Sequence, residues 1–341
     1  MKALPLKDVK VTISLSRPAG LIGFGKPLII GPKTGGQAYK NYSDLTALVA
    51  DGFAVGSEVY KAAAAVMGQG DNRPQVFAVA AYDSGSTSDA LDVLTANYSK
   101  DWYFLISTST VKAEVIELSN YVEGQGRKLF VTRTSNLTDL VDLKATGNEL
   151  TFVMYHSDPD EVAKYPDAAW VGRVGSRTVG TVTWKGHRLV GILPDDLDAA
   201  GLQDVHDNGG NAYVTKAGTP VTSEGQVLTG EYIDVIMGNH WVAANIEEQV
   251  QALFNSGEKI SYTNGGISQI ESVVRTVLGI AYRQEIIAED ADGIPLYSTD
   301  FPSRAETTTI DRAERILRNA KFKYELAGAI HAAEITGTVS A

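Results

Sequence analysis

The sequence predicts a mixed α/β (α+β) fold, and three observations carry that prediction. Between residues 75 and 156 four strand-like runs (75–81, 102–107, 128–133 and 149–156) alternate with helical patterns near 89–98, 111–122 and 137–143. Strand–helix–strand spacing of this kind favours parallel pairing, with helices packed on the sheet. After about residue 175 the texture changes to turn-rich β segments followed by long helices. Both chain ends read as strands outside the main alternation.

Taken in order, Val9, Val11, Ile13 and Leu15 alternate with Lys10, Thr12 and Ser14, a period-2 strand with one apolar face that Pro18 interrupts. No element precedes it, so it pairs either with a later strand of its own chain or with a neighbouring molecule. Residues 21–30 are apolar and glycine-bearing and read as a buried strand. Ser43 and Ser57 are placed to cap two short helices, and Gly124 to end the helix near 111–122. Residues 178–184 read as β structure. Pro194-Asp-Asp opens a helix to about Val205, which Asn208-Gly-Gly breaks. Residues 211–215 and 226–228 flank a turn-rich segment as a hairpin. Long helices follow over about 232–253 and 267–282, the second begun by Thr263-Asn-Gly-Gly, and a short one over 310–318. Phe322, Tyr324 and Leu326 alternate with Lys323 and Glu325. The tail 328–339 is β-prone and largely uncharged, and its apolar parity shifts between Ile330 and Ile335, the mark of a bulge or twist.

By size alone, 341 residues suggest about two domains. That length buries a sizeable core without a disulfide or a metal. The absence of cysteine excludes a disulfide scaffold, a thiolate zinc site, an iron–sulfur cluster and a cysteine nucleophile. The net charge of −11 opposes binding to phosphate backbones, so no nucleic-acid partner is expected. No run of 18 apolar residues occurs, so no membrane-spanning helix is expected, and the opening segment lacks the apolar core of a secretory signal.

The chemistry-bearing motifs are incomplete. Gly20 to Gly25-Lys26 has the G-x-x-x-x-G-K spacing of a phosphate-binding loop, but Pro27 stands where Ser or Thr must hold Mg²⁺, and a strand-like run follows instead of a helix. His156, His187, His206, His240 and His331 include no pair at metal-ligand helical spacing. His206, flanked by Asp204 and Asp207, reads as a solvated helix end, the alternative being a pKa raised by those carboxylates. His240, before Trp241, reads as a packed or interface residue. Ser84, Ser86 and Ser88 have no motif-linked base. Asp158, Asp160 and Glu161 fit the first turn of a helix, and Asp195-Asp196 and Glu247-Glu248 read as solvated helix positions. No catalytic, cofactor-binding or metal-binding residue is assigned. The segment 304–325 is locally basic: Arg304, Arg312, Arg315, Arg318, Lys321 and Lys323 stand against Glu306, Asp311, Glu314 and Glu325, or 6 − 4 = +2. Asp311 with Arg315 and Glu314 with Arg318 have helix ion-pair spacing. The strip is either a salt-laced solvated face or a docking surface for an acidic partner.

The C-terminal half resembles the contractile tail sheath proteins of bacteriophages and phage-tail-like bacteriocins. An ordered series carries the resemblance. It runs from Trp184-Lys185 and Gly191-Ile-Leu-Pro194 through Asn211-Ala-Tyr213-Val to Glu224-Gly225. Gly230-Glu-Tyr232-Ile-Asp234-Val-Ile-Met-Gly238-Asn-His-Trp241 follows, then Lys259-Ile-Ser-Tyr262-Thr-Asn264-Gly-Gly266-Ile. Arg312-Ala-Glu-Arg315 and Ala327-Gly328-Ala-Ile330-His331 close it, and Gly25-Lys26-Pro27-Leu28-Ile-Ile suits the family's N-terminal part. No single motif is specific; the order is. Residues 36–175 carry no match.

The resemblance implies a structural subunit without enzymatic activity or cofactor. It would form homo-oligomeric hexameric rings, stacked helically around an inner tail tube protein, with baseplate and tail terminator proteins as further partners. It would reside in a virion tail assembled in the host bacterial cytoplasm. Family arms add strands to the sheets of neighbouring subunits. That implies an N-terminal β arm at 1–18 (Val9, Val11, Ile13, Leu15) and a C-terminal β arm at 327–341 (Ile330, Ala332, Ile335, Val339). Between them lie an α/β domain at 19–175, of which 19–35 is possible assembly-domain sequence, and a sheath-type assembly domain at 176–326. Arg312, Arg315, Arg318 and Lys321 are the candidate tube-facing residues. The competing readings are another self-assembling shell or filament protein, and an α/β enzyme whose terminal strands pair internally.

Overall fold

The computed structural model describes residues 24–257 and 259–332. Val9, Val11, Ile13, Leu15, Ile335 and Val339 lie outside the described residues. Among the described residues the strands are β1 Pro27–Lys33, β2 Gln37–Tyr42, β3 Phe77–Asp83, β4 Phe104–Ser107, β5 Leu129–Thr134, β6 Thr151–Tyr155, β7 Gly210–Lys216, β8 Thr219–Thr222, β9 Tyr297–Asp300 and β10 Lys321–Tyr324. The α-helices are α1 Leu45–Ala50, α2 Glu58–Met67, α3 Ala90–Asn97, α4 Lys112–Gln125, α5 Leu137–Lys144, α6 Pro159–Val162, α7 Pro166–Val174, α8 Ala199–Asp207, α9 Ile233–Ser256, α10 Asn264–Arg283 and α11 Thr309–Glu314.

The first eight strands form one sheet in the order β2-β3-β1-β4-β5-β6-β7-β8. From β3 to β7 neighbouring strands are parallel, and an antiparallel strand closes each edge. The inner strands are continuous apolar runs because both faces are covered; Leu28–Ile30, Phe104–Ile106 and Leu129–Val131 are fully buried. Helices α2 and α7 pack together against β1, β4, β5 and β6, and α3 and α4 pack together against β1, β3, β5 and β6. The β1–α2–β3 and β3–α3–β4 connections run in opposite directions across the sheet, so right-handed crossovers put α2 and α3 on opposite faces. At Gly172 the α7 backbone meets α2 so closely that a Cβ would lie 2.3 Å from the Val66 carbonyl oxygen. Phe104, Phe152, Trp170 and Trp184 form one aromatic cluster, and the Trp170 indole donates to the Trp184 carbonyl at 3.0 Å.

The sheet runs across residue 175. β7 and β8 extend it from β6 although they follow the change in sequence texture, and β1 sits near its middle. Beyond it, α9 and α10 pair along their lengths. Ile267, Val274, Val277, Leu278 and Ala281 give α10 one buried stripe at helical spacing.

Several local expectations are corrected. Asp44, not Ser43, caps α1, accepting from the Ala47 amide at 2.9 Å, whereas Ser57 caps α2 as expected. Gly124 lies inside α4, and Gly126 ends it with φ 68°, a left-handed conformation that costs glycine little. Residues 178–184 form turns, not a strand, with the Thr181 amide on the Thr178 carbonyl and Trp184 pinned in the core. The helix expected at Pro194 starts at Ala199 with Asp198 as its cap, because Asp195 bridges to Val214 and its amide donates to Tyr213. The hairpin partner of β7 is β8, reached through Ala217 (φ 50°) and Gly218 (φ 79°), a two-residue turn of positive φ. Gln226 bridges to Tyr232 instead. β2 was not expected from sequence.

Candidate assembly surface

The C-terminal part holds a second sheet, two-stranded among the described residues, with Lys321 of β10 opposite Asp300 of β9 and Tyr324 opposite Tyr297. Its four-residue strands alternate. Tyr297, Thr299, Phe322 and Tyr324 turn inward, where the Thr299 hydroxyl donates to Glu271 of α10 at 2.6 Å and the Tyr324 hydroxyl to Asn239 of α9 at 2.6 Å. Ser298, Asp300, Lys321 and Lys323 face outward. A two-stranded sheet is marginal by itself, so packing on the long helices holds it. Each strand keeps one edge without a sheet neighbour among the described residues.

The chain then leaves β10 along residues 286–288. Leu326 bridges to Ile287, the Ala288 amide donates to Glu325 at 2.9 Å, and the Ala327 amide donates to Ile286 at 3.0 Å. After Gly328 there is no further strand within the described residues. Ile330 is 93% exposed, and Ala332 is also exposed. The side chain of His331 turns back against Thr183, Tyr232 and Glu224.

The four candidate tube-facing cations do not form one free patch. Arg312 is spent on its own loop, donating to the Thr307 carbonyl, the Thr307 hydroxyl and the Arg304 carbonyl. Arg318 bonds both Asp311 (2.6 Å) and Glu314 (2.7 Å). The expected Asp311–Arg315 pair is absent because α11 stops at Glu314 and Arg315 is its left-handed cap. The Asp311 carboxyl is held below the usual range by its hydrogen bond to Thr308 and by Arg318. Arg315 and Lys321 are exposed, as is Lys323.

Sites that resemble enzyme machinery resolve into packing. At the carboxyl ends of β4 and β5 the buried Arg133 guanidinium donates to the carbonyls of Ser107, Thr108 and Val162 at 3.0 Å each, and to Asp167 at 3.1 Å. It also stacks 3.7 Å from the centre of the Tyr165 ring. The crossover connections from β1 and from β4 lead to opposite sides of these two parallel neighbours, the switch in strand order where open α/β sheets keep a ligand crevice; here Arg133 occupies the neighbouring space. Sequence reasoning missed this residue, and its signal is an arginine inside an apolar strand. His156, Ser157 and Asp195 lie together, but the Ser157 hydroxyl donates to Asp195 (2.6 Å), not to the histidine. The His156 Nδ1 instead accepts from the Asp158 amide at 3.0 Å.

His206 is not raised by its flanking carboxylates; burial lowers it, and its Nε2 meets Ser223 at 2.9 Å. His240 is packed, as expected, 2.9 Å from the Tyr103 hydroxyl, and burial pushes it down to about 4. Lys26, the last residue of the phosphate-loop spacing, pairs with Asp101 at 2.5 Å at the start of a strand. Among the described residues no three of His, Asp and Glu are placed to hold a metal, and no helix is long and apolar enough to cross a membrane.

No family model matches the chain, and no curated protein matches it by sequence. Solved structures do. A chain of the anti-feeding prophage helical sheath in its contracted state is 12% identical, with a TM-score of 0.69, over 100% of this chain and 99% of that one. A chain from the six-fold symmetrised baseplate of the same particle is 11% identical, with a TM-score of 0.68 and the same coverage. A sheath tail protein from Listeria innocua is 7% identical, with a TM-score of 0.53, over 89% of this chain and 96% of that one. From β1 to the root of its C-terminal tail, the chain has the fold of contractile tail sheath proteins.

Proposed function

We propose that the chain is the structural subunit of a contractile tail sheath, in a virion tail or a tail-like particle. It polymerises as stacked six-fold rings around an inner tube and contracts to drive that tube through a target envelope. The observation that carries this reading is the likeness, over essentially all of both chains, to the contracted helical sheath of the anti-feeding prophage.

Strand addition is the proposed assembly chemistry. The open edges of β9 and β10 are the acceptors, and the alternating apolar segments around Val9–Leu15 and Ile330–Val339 are the donors, supplied by neighbouring subunits. About five main-chain hydrogen bonds contribute only a few kcal/mol at roughly 0.5–1.5 kcal/mol each. Ordering each arm residue costs roughly 1–2 kcal/mol. An arm therefore orders only when its apolar face is buried as well. Repeating such heterologous contacts builds an open helical polymer, and contraction is rigid-body movement of tethered subunits. Arg315 and Lys321, exposed beside this sheet, are the better candidates for contact with an acidic tube. The role is non-catalytic, which accords with Arg133 filling the space beside the sheet's switch point.

Negative-stain electron microscopy of the full chain beside one lacking residues 1–16 tests this. Hollow six-fold tubes or rings from the full chain, lost on truncation, are expected. Compact monomers from both chains, even with an inner tube supplied as template, would overturn it.

A further inference from the structure

The tail root crosses a cavity of about 240 Å³ bordered by Thr183, Asp234 and Glu285 of the body and by Leu326 and Ala329 of the tail. Past it, the His331 ring meets the Tyr232 ring edge-on, with centroids 4.7 Å apart. Its Nε2 lies 2.9 Å from the Thr183 hydroxyl. With the neutral ring's proton on Nε2, Thr183 accepts from His331. Nδ1 is then a bare acceptor, buried without a hydrogen-bond partner, facing the Glu224 carboxylate at 3.7 Å. A second proton on the ring would turn this lone-pair confrontation into a charge-assisted contact.

We propose that His331 is a proton-operated latch, in which protonation of the ring locks the root of the C-terminal tail onto Glu224 of its own subunit. Histidine is the side chain whose ordinary titration falls between pH 5 and 8. Glu224 and Asp234 favour the added proton. Lys185, bonded to both Glu224 oxygens at 2.9 and 3.0 Å, and Lys216, 3.9 Å from one of them, oppose it. His187, on the Thr183 carbonyl, and His206, on Ser223, are both lowered by burial and so charge later than an ordinary histidine. Glu285 borders the cavity on its far side. With the ring neutral the tail root is held by its short ladder and one neutral hydrogen bond; with the ring charged it gains a second, charge-assisted anchor.

The test is amide hydrogen exchange of the full chain at pH 7.5 and 5.5, corrected for intrinsic rates and read at Ala288 and Ala327, whose amides form the tail ladder. The native chain should gain about tenfold or more protection at the lower pH, the scale of a charge-assisted hydrogen bond. His331→Gln keeps a donor for Thr183 but cannot charge, and Glu224→Gln removes the anion; both should lose that gain. An unchanged native chain, or a gain equally large in His331→Gln, would overturn the latch. Only this subunit's residues take part, so the result stands whether or not the chain polymerises.

Discussion

Arg133 shows how much one buried side chain holds. It bonds three backbone carbonyls and one carboxylate from a buried position. Burial pushes the Asp167 carboxyl upward, and Arg133 is the main opposing influence. Arg133→Met should therefore lower stability by roughly 3–5 kcal/mol, because a buried charge is left without its partner; the shift of the urea midpoint measures it. His240 makes a pH prediction. Its folded-state value, about 4, lies below the ordinary 6.5, so the unfolded chain binds the proton first. Its contribution is complete above pH 6.5 and is lost as pH falls toward 4, by up to roughly 3 kcal/mol. His240→Gln, which retains a polar partner for Tyr103, should flatten the stability profile across that window. Of these residues, His240 was legible as packed from its helical setting. The partners of Arg133 and His331 were not, since they lie far away in sequence and the fold alone brings them close.

At the scale of elements, the parallel strands and their helices were legible because strands buried on both faces read as uninterrupted apolar runs. β2 was missed for the opposite reason: its Gln37, Lys40 and Asn41 lie on a partly exposed edge and break the apolar signal. Residues 178–184 misled because threonine and valine are β-prone, whereas the fold spends them on a turn leading to Trp184. β9 was missed because four residues are too few to show a period. The end of α4 offers a two-sided test. Gly126→Ala forces a left-handed alanine and should cost about 1 kcal/mol. Gly124→Ala, mid-helix in open space, should stabilise by roughly 0.5–1 kcal/mol. Thermal melts of both variants decide between Gly126 and Gly124 as the cap, and opposite signs are expected.

For the whole molecule, the proposed arms and the folded body are separable. One residue inserted between Val11 and Thr12 reverses the apolar face of half the proposed N-terminal strand. It should abolish tubes in electron micrographs and leave the circular dichroism and melting temperature unchanged. Deleting residues 333–341 should do the same from the other end. The body itself does not divide so easily. β6 is wholly buried in the finished sheet, yet its neighbour β7 begins 210 − 155 = 55 residues after it ends. At about 5–20 residues per second, a ribosome leaves that strand uncovered for roughly 3–11 s in every copy it makes. Nascent chains thus pass through an interval in which the apolar edge of β6 can pair with another half-made copy. Crowded polysomes, more than the mature particle, are where this topology is most vulnerable to misassembly.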